Sequence, residues 1–178
     1  MVLQRTSASS IRAAHVLELM ARGVSGRYRI TGDTDAAQCV VALDFGYRLV
    51  QSGILEPGPC NEYFASLALA TSNGRPIVSQ AEVDQAIRSV RGGMGADHVI
   101  RSARNPERYL DTREFAVQVH SIMDGYGWTS AALIAHPHHL PRAQAVVSSR
   151  GIEVATPAGV RSIWDRESNQ PWTRNPIR

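Results

Sequence analysis

Cysteine is scarce: Cys39 and Cys60 are the only two in 178 residues. Two thiols make neither a disulfide framework nor a zinc site by themselves, so both are expected to be reduced. Cys39, inside an apolar run, reads as a small core residue. Long hydrophobic runs are missing too, since Arg12, His15, Glu18 and Arg22 interrupt residues 11–22. That argues against a signal peptide or membrane span and leads to the expectation of a cytoplasmic protein with no membrane partner. The formal charge of +3 is scattered along the chain, with no basic stripe. Without such a stripe and its aromatic platforms, nucleic acid is not an expected partner.

The common phosphate and catalytic signatures are also missing. The first strand is followed by Asp44-Phe45-Gly46-Tyr47 where a dinucleotide fingerprint would place its glycines. There is no P-loop lysine motif, no HExxH zinc motif and no GxSxG elbow. The cofactor is therefore unknown from sequence, with an adenosyl-type ligand or a divalent metal left open. A metal held by His136, His138, His139 and Asp44 would need several ligands from nearly adjacent positions interrupted by Pro137, an awkward geometry.

What the chain does have is alternation. QCVVAL at 38–43, PIVS at 76–79, HVIR at 98–101, SAALIA at 130–135 and IEVA at 152–155 read as short buried strands. Between them lie helical patterns at 61–71, 81–90, 112–124 and 141–149, after a first one at 9–22 capped by Ser9 or Ser10. Asn61 is the expected cap of the second helix, after a loop at 52–60 rich in glycine and proline. Asp111 and Glu114 suggest a capping box for the helix that follows. Strands separated by helices mean βαβ units, hence a single three-layer Rossmann-like α/β domain over 1–178 with a mostly parallel sheet of about five strands. The tail from 160 to 178, with Trp164 and Trp172, has no periodicity and is expected to cross the domain surface or meet another subunit of a homo-oligomer.

Ligands of such sheets sit beyond the carboxyl ends of the strands. That rule selects Asp44 to Gly46, Ser79 to Glu82, Arg101 and Ser102, and His136 to Arg142. Candidate catalytic residues are His139, Asp44 and His136; candidate substrate contacts are Gly46, Ser79, Glu82, Arg101, Thr112, Glu114 and Arg142. Several of these have plainer readings. Asp44 and Gly46 suit a turn, Ser79 and Glu82 a helix cap, and Thr112 and Glu114 a capping box. The strand-end run His136-Pro137-His138-His139 is the strongest pointer, because imidazoles there can move protons, grip an anion or bind metal.

The order of these pieces resembles the YdcF/SanA/ElyC group, the domain-of-unknown-function 218 family. The matching stretches are Val40 to Gly46, Ser79-Gln80-Ala81-Glu82, Thr112 to Ala116, and Ala135 to Ala143, spanning roughly residues 36–156. The resemblance implies a Rossmann-like fold with a pocket and places His139 and Arg142 at the family's histidine and arginine positions. The chain departs from the pattern at Phe115, where an amide is usual, at Ala135-His136, where a Thr-Ser pair is usual, and in a first loop reduced to Gly46.

The function expected from these residues is a small cytoplasmic enzyme acting on a polar or anionic small molecule, nucleotide-like or phosphorylated, by hydrolysis or group transfer. His139 would be the acid/base and Arg142 the anion binder, helped by helix amides. Asp44 would orient His139, hold a ribose hydroxyl or assist a metal. The alternatives are a non-catalytic nucleotide or adenosyl-ligand binding protein, or a structural subunit.

Overall fold

Alternate residues of the first strand enter two separate cores, and this decides the layering. In the computed structural model, which describes residues 32–50 and 53–175, β1 (Cys39–Ala42) is buried along its whole length. Cys39, Val41 and Leu43 pack with Phe115, Val119, Met123, Ala143 and Val147 on one face. Val40 and Ala42 pack with Phe64, Ala68, Val83 and Ile87 on the other. A strand covered on both sides reads as an unbroken apolar run, and each large side chain so buried contributes about 1.5–3 kcal/mol.

In chain order β1 is followed by the two-residue strands β2 (Arg48–Leu49) and β3 (Leu55–Glu56), then α1 (Gly58–Ser72), β4 (Ile77–Gln80), α2 (Ala81–Val90) and β5 (His98–Ile100). The second half holds α3 (Thr112–Tyr126), β6 (Ser130–Ile134), α4 (Leu140–Ser148), β7 (Glu153–Ala155) and a 3₁₀ turn at Pro171–Thr173. The main sheet has five strands in the order β5-β4-β1-β6-β7, and every pairing in it is parallel. Helices α1 and α2 cover one face and α3 and α4 the other. This is a Rossmann-like three-layer α/β fold. The chain builds outward from β1 to β5, then returns to the other side of β1, so the direction of winding reverses between β1 and β6. The crevice at that switch is where such sheets bind ligands.

Several boundaries differ from those read in the sequence. The stretch 52–60 is not all loop: β2 and β3 pair antiparallel, and α1 begins at Gly58 with proline in its first turn. Asn61 does not cap that helix. Its buried side chain accepts the Phe45 N–H at 2.8 Å and donates to the carbonyls of Gly46 and Pro57, both at 2.6 Å. It therefore fixes the loop after β1. Ser79 lies within β4 and not after it. Half of the expected capping box forms: Asp111 accepts the Glu114 N–H at 2.8 Å, but the Glu114 carboxylate turns to Arg104 at 2.9 Å. The helix expected at 9–22 lies outside the described residues. No helix among the described residues is long and apolar enough to cross a membrane.

The tail packs back on the chain itself. Arg48 makes two 2.7 Å bonds to the buried Asp165 carboxylate, and the Asn169 side chain takes the Leu49 N–H at 2.6 Å. Gly46, at φ +82°, meets this tail so closely that a Cβ would lie 2.6 Å from Thr173 Oγ1 and 2.7 Å from Ser168 Oγ. Positive φ and close approach together require glycine there, so the residue is explained by packing.

Candidate functional site

A cavity of about 380 Å³ opens at the winding switch, lined among others by Asp44 after β1, Gln80 ending β4, Thr112 opening α3, and His139 and Arg142 at the start of α4. Its volume is within the usual range for a small-molecule pocket. The alternation of strands and helices puts these residues together because every parallel strand delivers its following loop to the same rim.

Three side chains form a chain of contacts along one wall. Arg142 donates to Thr112 Oγ1 at 2.7 Å, and the same hydroxyl lies 3.3 Å from His139 Nε2. The hydroxyl accepts from the guanidinium and so is free to direct its own proton at the imidazole. Burial, and secondarily the Arg142 charge, pull the His139 pKa down to about 4. At neutral pH the ring is uncharged and acts as a proton acceptor. No described carboxylate lies within ion-pair distance of Arg142, whereas Arg48 has two and Arg88, Arg101 and Arg104 have one each. All nineteen basic residues of the chain are arginine, so its fixed positive charge is planar and forked throughout.

The α4 amides contribute less than the sequence suggested. The N–H groups of His139 and Leu140 both donate to the His136 carbonyl, at 2.7 and 2.8 Å, and Pro141 has none. Asp111 also lines the cavity, with its carboxylate engaged by the Glu114 N–H. An anion would therefore depend chiefly on the Arg142 guanidinium.

On the same cavity the Asp44 carboxyl lies beside Glu82, and the Asp44 backbone N–H donates to Gln80 Oε1 at 3.0 Å. Burial, then the charge and hydrogen bond of Glu82, push the Asp44 carboxyl up to about 8. A charged Asp44 beside a second carboxyl in a buried setting is costly, so Asp44 keeps its proton at neutral pH. Asp44 thus contacts Glu82, and His139 contacts Thr112, instead of the two contacting each other.

The other candidates are not assembled on the cavity. His136 is fully buried behind it, stacked on Phe45 with centroids 3.6 Å apart and edge-on to Trp164. Burial first, then the His138 and His139 charges, lower its pKa to about 3, and its Nε2 has no hydrogen-bond partner. It is a neutral core ring, because Phe45 and Trp164 exclude water from it. Ser79 is also buried, with an unpaired Oγ. Arg101 reaches Asp84 at 3.3 Å and lines a separate depression with Glu82. Glu114 is held by Arg104, which keeps its pKa low, near 2. Gly46 contacts the tail.

Sequence reasoning missed the residues that complete the enclosure: Tyr109, Leu110 and Phe115, and Trp164, Gln170, Trp172 and Thr173 from the tail. Tryptophan in an aperiodic tail was the one available signal. Both cysteines are buried, with Cys39 raised to about 12 and Cys60 also raised, each chiefly by burial, so neither supplies a thiolate. Among the described residues no three His, Cys, Asp or Glu side chains converge as a metal site. Comparisons with protein-family models, with curated proteins and with solved structures return no match.

Proposed function

We propose that this chain is an enzyme that binds a small anionic, phosphorylated molecule in the switch-point cavity and catalyses its hydrolysis or group transfer. The observation that carries the reading is Arg142, a cavity-lining guanidinium with no described carboxylate partner, joined through Thr112 to the neutral imidazole of His139. A guanidinium matches phosphate oxygens with paired donors. An uncharged imidazole beside a hydroxyl can accept a proton from that hydroxyl, from water or from the substrate. The protonated Asp44 carboxyl, which lines the same cavity, can return one to a leaving group. The order of motifs from 36 to 156 supports kinship with the YdcF/SanA/ElyC group, with the altered positions 115, 135 and 136 expected to shift ligand preference.

Calorimetric titration with inorganic phosphate and phosphomonoesters, followed by phosphate-release assays on the esters that bind, tests the reading. Arg142→Ala should weaken binding at least tenfold, and His139→Ala should lower turnover by about two to four orders of magnitude with little change in binding. If binding is indifferent to Arg142, the anion assignment falls. Binding without turnover in the native protein would favour a non-catalytic binding protein.

A further inference from the structure

The cavity is also lined by two exposed aromatic rings. Trp172 and Tyr109 line it while remaining 56% and 71% exposed. The other exposed aromatic ring among the described residues, Tyr126, is covered by stacking on Trp128 with centroids 4.5 Å apart and planes 14° from parallel. Among the described residues no ring stacks on Trp172 or Tyr109. Both are nonetheless held in place. The Tyr109 carbonyl accepts the Asp111 N–H at 3.0 Å, and Trp172 sits in the 3₁₀ turn, where Thr173 Oγ1 donates to Ser168 at 2.7 Å and the Asp165 N–H donates to the Thr173 carbonyl at 3.0 Å. Asp165 in turn is clamped by Arg48.

Resting on the anion reading above, we infer that Trp172 and Tyr109 form a ring-binding subsite, and that the ligand is a nucleoside phosphate with its base on these rings and its phosphate toward Arg142. An unpaired aromatic face fixed beside a polar cavity gains most by covering a flat ring, and base stacking is tolerant of base identity because every base offers a π face. The cavity also exceeds what a lone phosphate fills, and both the Arg142 and the Trp172 side chains line it. A simple sugar phosphate would leave both rings bare. The subsite belongs to the tail and to the loop before α3, outside the strand-end motifs.

The test is calorimetric titration of the full chain with inorganic phosphate, ribose 5-phosphate, adenosine, adenosine 5′-monophosphate and uridine 5′-monophosphate. Both nucleotides should bind at least tenfold tighter than ribose 5-phosphate. Trp172→Ala should remove about tenfold from the nucleotides and leave ribose 5-phosphate unchanged; Trp172→Phe should retain most of the increment. Both substitutions are at an exposed position, and unchanged thermal unfolding confirms an intact fold. Equal affinity for ribose 5-phosphate and the nucleotides, or nucleotide binding indifferent to Trp172→Ala, overturns the inference while leaving the anion site standing. Adenosine binding that depends on Trp172, with no effect of Arg142→Ala on any phosphate, keeps the ring subsite and overturns the anion reading. No binding by any of the five overturns both.

Discussion

Asp84 and Asp44 both meet α2, yet their charges are balanced in opposite ways. Asp84, 1% exposed, takes Arg88 at 2.9 Å and Arg101 at 3.3 Å on one oxygen and the Ala96 N–H at 2.8 Å on the other. Asp44 has no described cation within ion-pair distance and contacts a second carboxyl, Glu82. The first arrangement is fully satisfied and ties α2 to the segment leading into β5. The second is held by a proton, which can be given up. That difference separates a structural carboxylate from one available for chemistry, although sequence alone would treat both as acids near a strand end.

Three measurements break or sharpen the contrast. Removing the satisfied acid has the largest effect. Asp84→Ala strands the Ala96 N–H and frees two guanidiniums, and should lower unfolding free energy by about 3 kcal/mol in urea denaturation. A loss well under 1 kcal/mol would mean that this network is decorative.

The second concerns pH. Unfolded Asp44 ionises near 3.8 and folded Asp44 near 8. Between those values the native state holds the extra proton, so stability falls as pH rises. His136 and His139 act with the opposite sign: their lowered pKa values make stability rise with pH, but only up to the unfolded value of 6.5. From pH 6.5 to 8 the Asp44 carboxyl therefore acts alone among these groups. Stability should drop by about 2 kcal/mol across that window, at about 1.4 kcal/mol per pH unit. The slope should flatten in Asp44→Asn, and a native protein with no slope would show that folded Asp44 holds no extra proton. The smallest effect is at the rim of the first network. Arg101, 61% exposed, should contribute no more than about 0.5 kcal/mol by alanine substitution, because water screens it.

Legibility from sequence followed the range of the interaction. The CVVA run of β1 and the Val83, Ala86, Ile87 spacing of α2 announce themselves, since local periodicity records which face is buried. The strand-end rule then brought Asp44, His139 and Arg142 to one rim. It could not distinguish His139, which lines the cavity, from His136, which stacks behind it, because that depends on Phe45 and Trp164 arriving from elsewhere. Arg101 and Glu114 looked like ligand contacts until their partners Asp84 and Arg104 were visible, 17 and 10 residues away. Asn61 read as a cap because it precedes an apolar helix; its true partners lie 15 and 16 residues back in the β1 loop, as well as at Pro57.

The linear chain by itself determined the α/β alternation, the parallel sheet and the rim on which polar residues gather, because strand and helix periods are properties of neighbouring residues. Tertiary structure alone decided which polar side chains pair off, which carboxyl keeps a proton, and that the tail supplies the cavity's aromatic wall. Those outcomes depend on contacts between separate segments, from Arg104 with Glu114 to Arg48 with Asp165, and on the burial that such contacts impose on charge.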